Sequence, residues 1–381
     1  MQNRKIYRQV SEMNETQQTI TMEKQYADSG ERPLHGGCGS PEDIKMDFSA
    51  NLNPLGMPAC AKRAVIESAD AWQRYPDPYC RSLREALAAH FSCSAQRIVI
   101  GNGADDLIFR IAAAFRPAKA LVPAPSFSEY EKALRQSGAD VVHYTLRQED
   151  SFNITRDIMS TIDTDIDMVF LCSPNNPTGR LISLPMLEDI AMRCEENGAF
   201  LIVDESFLPF TSAGDGSGAL RLMECCRDLI VLRSFTKIFA VPGLRLGYCI
   251  CGRSSDARNI ANTGQYWSVS APALAAGEAV LKDPETMVYI KQTQDLIARE
   301  RAYLQQELTQ AAITLIPSDA NFLLCYSEMP LYERLAAEGI LIRDCANFRG
   351  LSEGWFRIAV RTHEENAQLM TCIKDLIHVD R

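Results

Sequence analysis

The sequence predicts an α/β fold: a mostly parallel sheet covered by helices, followed by a smaller α+β region. Three observations predict it. Short apolar runs alternate with helix-period stretches from about residue 80 to 250. Some runs, such as Met168-Val169-Phe170-Leu171-Cys172, contain no polar residue, as expected of strands buried on both faces of a parallel sheet. Beyond residue 270 the pattern gives way to long helical stretches and then to short mixed elements.

Composition bounds what the chain can be. Its 381 residues, 46% hydrophobic and 23% charged, suffice for two cores. A net charge of −10 argues against nucleic acid or an anionic membrane surface as a partner. No apolar run approaches the ~20 residues that a membrane helix needs. Residues 1–34 are polar, lack an apolar signal core and read as a flexible leader. The 13 cysteines form no Cys-x-x-Cys pair and the 5 histidines do not cluster with them, so metal-ligand spacing is absent. An odd, unpaired set of thiols fits a reducing cytoplasm.

The ordered part opens at His35-Gly36-Gly37, where a surface-loop histidine is the plainest reading of His35. Asp47 to Gly56 is rich in Asn, Pro and Gly and reads as a loop or a single extended segment. Residues 59–70 read as a short helix. Arg74-Tyr75-Pro76-Asp77-Pro78 then fixes a turn around a tyrosine. Ser82 to His90 is helical, with Leu83, Ala86 and Leu87 on one face.

Arg97 to Ile100 is a short strand running into Gly101-Asn102-Gly103-Ala104-Asp105 and the start of an apolar helix. Backbone N–H groups at such a start bind phosphate, although Gly-x-Gly alone is more often a plain tight turn. The strand Ala120 to Val122 ends in prolines and Phe127, an aromatic suited to core packing or to a flat platform for a ring. A helix (Glu129 to Gln136) and a strand (Val141 to Thr145) follow. The apolar strand ending at Cys172 leads into Ser173-Pro174-Asn175-Asn176-Pro177-Thr178-Gly179, either an Asn-Pro turn or a fixed side-chain amide. After a helix (Leu184 to Asn197), the strand Phe200 to Val203 terminates in Asp204-Glu205.

The run Leu229 to Leu232 then delivers Ser234, Thr236 and Lys237, followed by a Pro242-Gly243 turn and Arg245 in an apolar segment. Burying an unpaired ammonium is costly, and a lysine whose pKa is lowered by burial is what Schiff-base chemistry needs. Gly103, Phe127, Asn176, Asp204 and Lys237 all fall at or just past predicted strand ends, where α/β folds gather their ligand sites.

The helical stretch from about Ala271 to Ala312 breaks near Asp283-Pro284. Strands are expected at Ala320 to Tyr326, Ile340 to Arg343 and Phe356 to Val360, with helices at Leu331 to Glu338 and Glu364 to Ile377. Arg343 and Arg357 lie in or beside apolar strands and are either structural ion pairs or clamps for carboxylate and phosphate.

Pyridoxal phosphate offers a matching handle for each of these residue types. Its aldehyde needs a lysine, Lys237, and its ring nitrogen a buried carboxylate, Asp204. Its 3′-oxygen suits the amide of Asn176, and its ring a face such as Phe127. Its phosphate suits the backbone at Gly103, Ala104 and Asp105 together with Ser234 and Arg245.

The segments Ser173 to Gly179, Asp204-Glu205, Ser234 to Lys237 and Pro242 to Gly247 resemble the signature of fold-type I, class I/II aminotransferase-like enzymes, over nearly all of residues 35–377. Within them, His35-Gly36-Gly37, Asp47 to Gly56, Arg74 to Asp77 and Ile342 to Phe348 resemble the threonine-phosphate decarboxylases of cobalamin biosynthesis, relatives of histidinol-phosphate aminotransferases. The resemblance implies a seven-stranded-type sheet in a large cofactor-binding domain over 71–270. It also implies a small α+β domain with its connecting helix over 271–381, and a segment over 35–70 joining the small domain and the site entrance. It implies a homodimer with shared sites, in which Tyr75 reaches the phosphate of the neighbouring subunit's cofactor. His35 and Asn53 would lie in the entrance segment on the substrate, with Asn176. Arg357 would hold the substrate carboxylate and Arg343 contribute to its phosphate. Position 207 is Phe where many aminotransferases carry a cofactor-binding tyrosine, which mildly favours decarboxylation over transamination.

The implied reaction is decarboxylation of L-threonine O-phosphate to aminopropanol phosphate, or of L-serine O-phosphate to ethanolamine phosphate, for the cobamide nucleotide loop. The alternative is an aminotransferase acting on histidinol phosphate or a similar amine. Whichever Cα bond stands perpendicular to the pyridine plane breaks, so the two differ by a rotation of the substrate. A non-catalytic cofactor-binding effector module is disfavoured, because residues 1–34 are too short and polar for a DNA-binding domain and every catalytic residue type is present.

Overall fold

Strands buried on both faces set the architecture. In the computed structural model the described residues are 36–37 and 44–379. The expected leader over 1–34 and His35 lie outside the described residues. The chain runs through Met46–Asp47 (β1), Ala59–Glu67 (α1), Arg81–Phe91 (α2), Ile98–Gly101 (β2) and Ala104–Phe115 (α3). It continues through Lys119–Ala124 (β3), Ser128–Gln136 (α4), Asp140–Thr145 (β4), Met168–Cys172 (β5), Leu184–Asn197 (α5), Phe200–Asp204 (β6) and Leu229–Ser234 (β7). Then come Phe235–Ile238 (α6), Gly247–Cys251 (β8), Ser254–Thr263 (α7), Ala271–Lys282 (α8) and Thr286–Gln310 (α9). The C-terminal part comprises Thr314–Leu315 (β9), Phe322–Tyr326 (β10), Leu331–Ala337 (α10), Ile340–Leu341 (β11), Arg343–Asp344 (β12), Trp355–Ala359 (β13) and His363–Val379 (α11).

The main sheet has seven strands in the order β2-β8-β7-β6-β5-β3-β4. All are parallel except β8, which runs antiparallel to both β2 and β7. Alternate residues serve opposite cores: Val169 and Leu171 of β5 join one apolar cluster, and Met168, Phe170 and Cys172 the other. Double-sided burial is why these strands read as unbroken apolar runs. Because β2, β3, β5, β6 and β7 are co-directional, their carboxyl ends share one edge of the sheet.

Helix boundaries follow local chemistry. Ser183 caps α5 by accepting from the Met186 amide at 3.4 Å, and Gly198 ends the helix at φ +70°. Asp283 and Pro284 separate α8 from α9, as expected.

Several elements were not visible in the sequence: Gly247–Cys251 forms the antiparallel β8, Ser254–Thr263 forms α7, and the short α6 and β9 were likewise not expected. The expected single strand Ile340 to Arg343 is split. Its first half pairs in parallel with β1 and its second half with β13 in the four-stranded sheet β12-β13-β10-β9. The buried Ile342 is the crossover between the two sheets.

Candidate active site

The shared edge gathers the chemistry. Asp204 is the last residue of β6 and is buried. The Tyr130 hydroxyl donates to its Oδ2 at 2.8 Å, and the Ser206 amide donates to its Oδ1 at 2.9 Å. Tyr130 is held flat against Phe170, with ring centroids 4.4 Å apart. Burial pushes the Asp204 carboxyl up, opposed by these two donors and by the charge of Lys237. A protonated ring nitrogen beside it would offset that cost.

One strand over, β7 ends in Ser234, and Lys237 follows in the single turn α6. Ser234 Oγ lies 2.7 Å from Thr236 Oγ1, and both residues are buried. Loss of hydration lowers the Lys237 ammonium from 10.5 to about 8, helped by the positive charges of Arg357 and Arg245 and opposed by Asp204. No described residue hydrogen-bonds or ion-pairs its Nζ.

Gly103 precedes α3 and adopts φ +89°. A Cβ there would meet Arg245 Nη2 at 2.7 Å, so the missing side chain is what lets the guanidinium approach the helix start. At Gly247 a Cβ would stand 2.5 Å from the Ala104 amide nitrogen, so β8 presses against the same turn. Gly103, Ala104, Asp105 and Arg245 thus form one cradle at the start of a 12-residue helix. Ser234 sits directly opposite Gly247 across the β7–β8 ladder.

From the smaller sheet, β12 and β13 bring Arg343 and Arg357 into direct cross-strand register, both buried. Arg357 Nη1 donates to Asn176 Oδ1, and Nη2 donates to the Ser49 carbonyl at 2.9 Å. With its oxygen turned to the guanidinium, Asn51 accepts from Nη1 at 3.3 Å and from Nε at 3.2 Å. No described carboxylate forms an ion pair with Arg357. Burial and the adjacent Arg343 lower its pKa to about 10, and Asp47 offsets this only in part. A buried guanidinium without a carboxylate is what an anionic ligand would complete. Arg343 donates to the Asp344 carbonyl at 2.6 Å and to Asn347 Oδ1 at 3.0 Å. With Phe127, Ser126, His143 and Phe348 it lines a cavity of ≈ 440 Å³.

Asn176 uses its oxygen on Arg357, and its Nδ2 makes no hydrogen bond to a described residue. Phe127 packs edge-on against Tyr130 at 5.5 Å. Phe207 packs edge-on against Phe322, over which the Arg357 guanidinium lies at 5.3 Å.

Two further expected residues lie apart from these groups. Tyr75 is 80% exposed and leans on Trp267, with centroids 4.6 Å apart. Asn53 is buried, and its carboxamide is committed to protein: Nδ2 donates to the Ile238 carbonyl at 2.8 Å and to Thr293 Oγ1 at 2.7 Å, and Oδ1 accepts from the Leu55 amide. Both amide protons of Asn53 are thus spent on protein, and Oδ1 alone keeps a lone pair.

The reading of the sequence passed over Tyr130, Ser206 and Asn51. Tyr130 follows Phe127 by three residues at a helix start, a spacing that signals proximity. Ser49, Asn51 and Asn53 share the period-2 spacing of an extended segment. The chain's donors and acceptors therefore fit a ligand with an aldehyde, a basic ring nitrogen, a ring oxygen and a phosphate.

The class I and II aminotransferase family model matches residues 43–373. A threonine-phosphate decarboxylase of Salmonella typhimurium is 38% identical, with 90% of this chain and 96% of that protein covered. The structure of a histidinol-phosphate aminotransferase from Clostridium acetobutylicum superposes with a TM-score of 0.81 at 30% identity, covering 87% of this chain and 99% of that one. A histidinol-phosphate aminotransferase from Sinorhizobium meliloti, solved in complex with pyridoxal-5′-phosphate, superposes at 0.79 with 21% identity, covering 89% and 92%.

Proposed function

The chain belongs to the class I and II aminotransferase family, and we infer that it is a pyridoxal-phosphate-dependent carboxy-lyase of the threonine-phosphate decarboxylase type. Its substrate is an O-phosphorylated amino acid, L-threonine O-phosphate or L-serine O-phosphate, converted to aminopropanol phosphate or ethanolamine phosphate for the cobamide nucleotide loop. The likeness to the Salmonella enzyme over nearly the full length of both chains supports the substrate class. The observation that carries the chemistry is the pairing of Arg343 with Arg357 beside Asn176 and Lys237. Two buried cations in register suit a substrate with two anionic ends, and one would suffice for a carboxylate alone.

When bound, pyridoxal phosphate supplies an electron sink conjugated to the substrate's Cα. Lys237 would hold the cofactor's aldehyde carbon, and its amine, with a pKa lowered to about 8, would be the group to deliver a proton to the substrate's Cα. Asp204, oriented by Tyr130 and Ser206, keeps a proton on the ring nitrogen. Asn176 would donate to the ring 3′-oxygen and Phe127 would offer a face to the ring. Gly103, Ala104, Asp105, Ser234 and Arg245 would hold the cofactor phosphate. Arg357 takes the substrate carboxylate and Arg343 its phosphate, so that carbon dioxide is the leaving group. The Phe207–Phe322 pair lies beneath Arg357 and keeps that side of the site apolar.

The enzyme works as a homodimer, with the exposed Tyr75 directed to the neighbouring subunit's cofactor. Residues 71–270 form its cofactor-binding lobe and 271–381 its smaller lobe. The described cysteines are all free thiols, in keeping with a reducing cytoplasm. No described helix is long and apolar enough to cross a membrane.

The test is direct. Holoenzyme is given O-phosphothreonine, O-phosphoserine, or histidinol phosphate with 2-oxoglutarate, and carbon dioxide and glutamate are measured. Carbon dioxide from a phosphoamino acid is expected; glutamate alone would establish an aminotransferase instead. Lys237→Ala should lose the visible absorbance of the bound cofactor.

A further inference from the structure

We propose that residues 49–53 are a tie that holds the anion clamp and the reactive lysine in a fixed relation, with Asn53 and Tyr289 as positioning residues. The proposal rests on the roles given above to Arg357 and Lys237. Those two groups stand on different sheets, Arg357 on β13 and Lys237 just past β7. The segment touches both. At one end the Ser49 carbonyl and the Asn51 oxygen accept from the Arg357 guanidinium. At the other end the Asn53 amide donates to the Lys237 carbonyl at 3.1 Å, and Asn53 Nδ2 donates to the Ile238 carbonyl.

The lysine needs such a tie because α6 is a single turn. Its last carbonyls have few partners within the turn, and a turn of this length has little stability of its own. Asn53 takes the Lys237 and Ile238 carbonyls together. The single Tyr289 hydroxyl proton is shared between the Gly56 carbonyl at 2.7 Å and the Ile238 carbonyl at 3.1 Å, so Tyr289 bridges the lysine turn and the segment. Thr293, one turn further along α9, donates to the Tyr289 carbonyl and accepts from Asn53 Nδ2. Asn53, Tyr289 and Thr293 are therefore one hydrogen-bonded unit. It fastens the lysine turn to α9 on one side and to the segment carrying Ser49 and Asn51 on the other.

The consequence is chemical. Arg357 sets where the substrate carboxylate points, and Lys237 is the base and acid at Cα. Loss of carbon dioxide breaks the bond from Cα to the carboxyl carbon, leaves the electron pair at Cα, and ends when a proton is delivered there. The competing path moves the Cα proton to Lys237. It then passes the amino group to the cofactor and, with one water, releases a keto acid. Which path runs depends on the relation between clamp and lysine, and that relation is what the tie fixes.

Two variants test it. Asn53→Ala removes the side-chain bonds to Ile238 and Thr293. Tyr289→Phe removes only a hydroxyl and carries the test alone should Asn53→Ala not fold. In cofactor-free protein, hydrogen exchange across residues 235–241 should quicken roughly tenfold, since the turn opens more often once its carbonyls lose donors. In holoenzyme given O-phosphothreonine, carbon dioxide release should fall about tenfold, with keto acid formed per carbon dioxide rising by a similar factor. Leu308→Ala, a buried change on α9 away from the tie, should lower stability and leave that ratio at the wild-type value. Unchanged exchange in both folded variants, or a ratio no different from that of Leu308→Ala, would overturn the tie. A wild-type enzyme that releases no carbon dioxide would instead remove the decarboxylase reading. The exchange measurement would still decide the tie.

Discussion

Lys237 holds its place at a cost that pH can expose. Its ammonium titrates at 10.5 when unfolded and at about 8 when folded. Below pH 8 both states carry the proton and the native state bears the full cost of a poorly hydrated charge. Between 8 and 10.5 the unfolded chain binds more protons, so the native state gains stability as pH rises. In cofactor-free protein, Lys237→Met should therefore be stabilising at pH 7, by roughly 1–3 kcal/mol. That advantage should vanish towards pH 10.5. Urea unfolding at pH 7 and at about pH 10 checks this; a variant that tracks wild type at both would show that the site does not depress the lysine. At the same scale, Tyr130 is a residue whose importance comes from a partner. Alone in the sequence it is one of 12 tyrosines. In the fold its hydroxyl is spent on the carboxylate that defines the site.

At the scale of elements, β8 is the instructive case. Gly247-Tyr248-Cys249-Ile250-Cys251 is as apolar as its neighbours, and the apolar segment after the Pro-Gly turn does not by itself say which strands it will pair with. Its pairing with both β2 and β7 comes from chain segments about 150 and 20 residues away, which no local pattern encodes. The split of β11 from β12 has the same origin: four residues of strand-like sequence serve two sheets because β1 and β13 present separate edges. The closeness of β8 to the start of α3 makes Gly247 indispensable. A Cβ there would stand against the backbone of Gly103 and Ala104, which cannot move aside cheaply, whereas at Gly103 it would meet only the tip of Arg245 and add the strain of a φ of +89°. Gly247→Ala should lower stability by about 2–4 kcal/mol. Gly103→Ala should cost less, about 1–2 kcal/mol of backbone strain, and weaken cofactor retention as well. Equal unfolding midpoints for the two variants would contradict this contrast.

For the whole molecule, the exposed aromatics are the feature that a single chain leaves unexplained. Tyr75 and Trp267 lie against each other in solvent, with Trp72, Tyr79 and Tyr266 also exposed. If Tyr75 serves the neighbouring subunit, Tyr75→Ala and Lys237→Ala proteins, each impaired alone, should complement one another. A mixed dimer then holds one intact site and one doubly defective site, so random mixing should restore about a quarter of wild-type activity. No recovery after subunit exchange, with mixed dimers verified by mass, would mean that each site is built from one chain.

The sequence by itself determined the alternation of strands and helices, the double-sided burial of the central strands, and the placement of Lys237, Asp204, Asn176 and the Gly103 turn at or just past strand ends. All of these are local. A strand buried on both faces must be apolar throughout, and a polar residue at its end stands out against that background. What only the tertiary structure decided is which side chains meet. Tyr130 meets Asp204 across 74 positions of sequence, Arg357 meets Ser49 across 308, and Asn53 meets Ile238 across 185. Asn53 is the plain case: its bonds to Ile238 and Thr293 depend on partners that long-range packing brings within about 3 Å, and neighbours along the chain do not supply them.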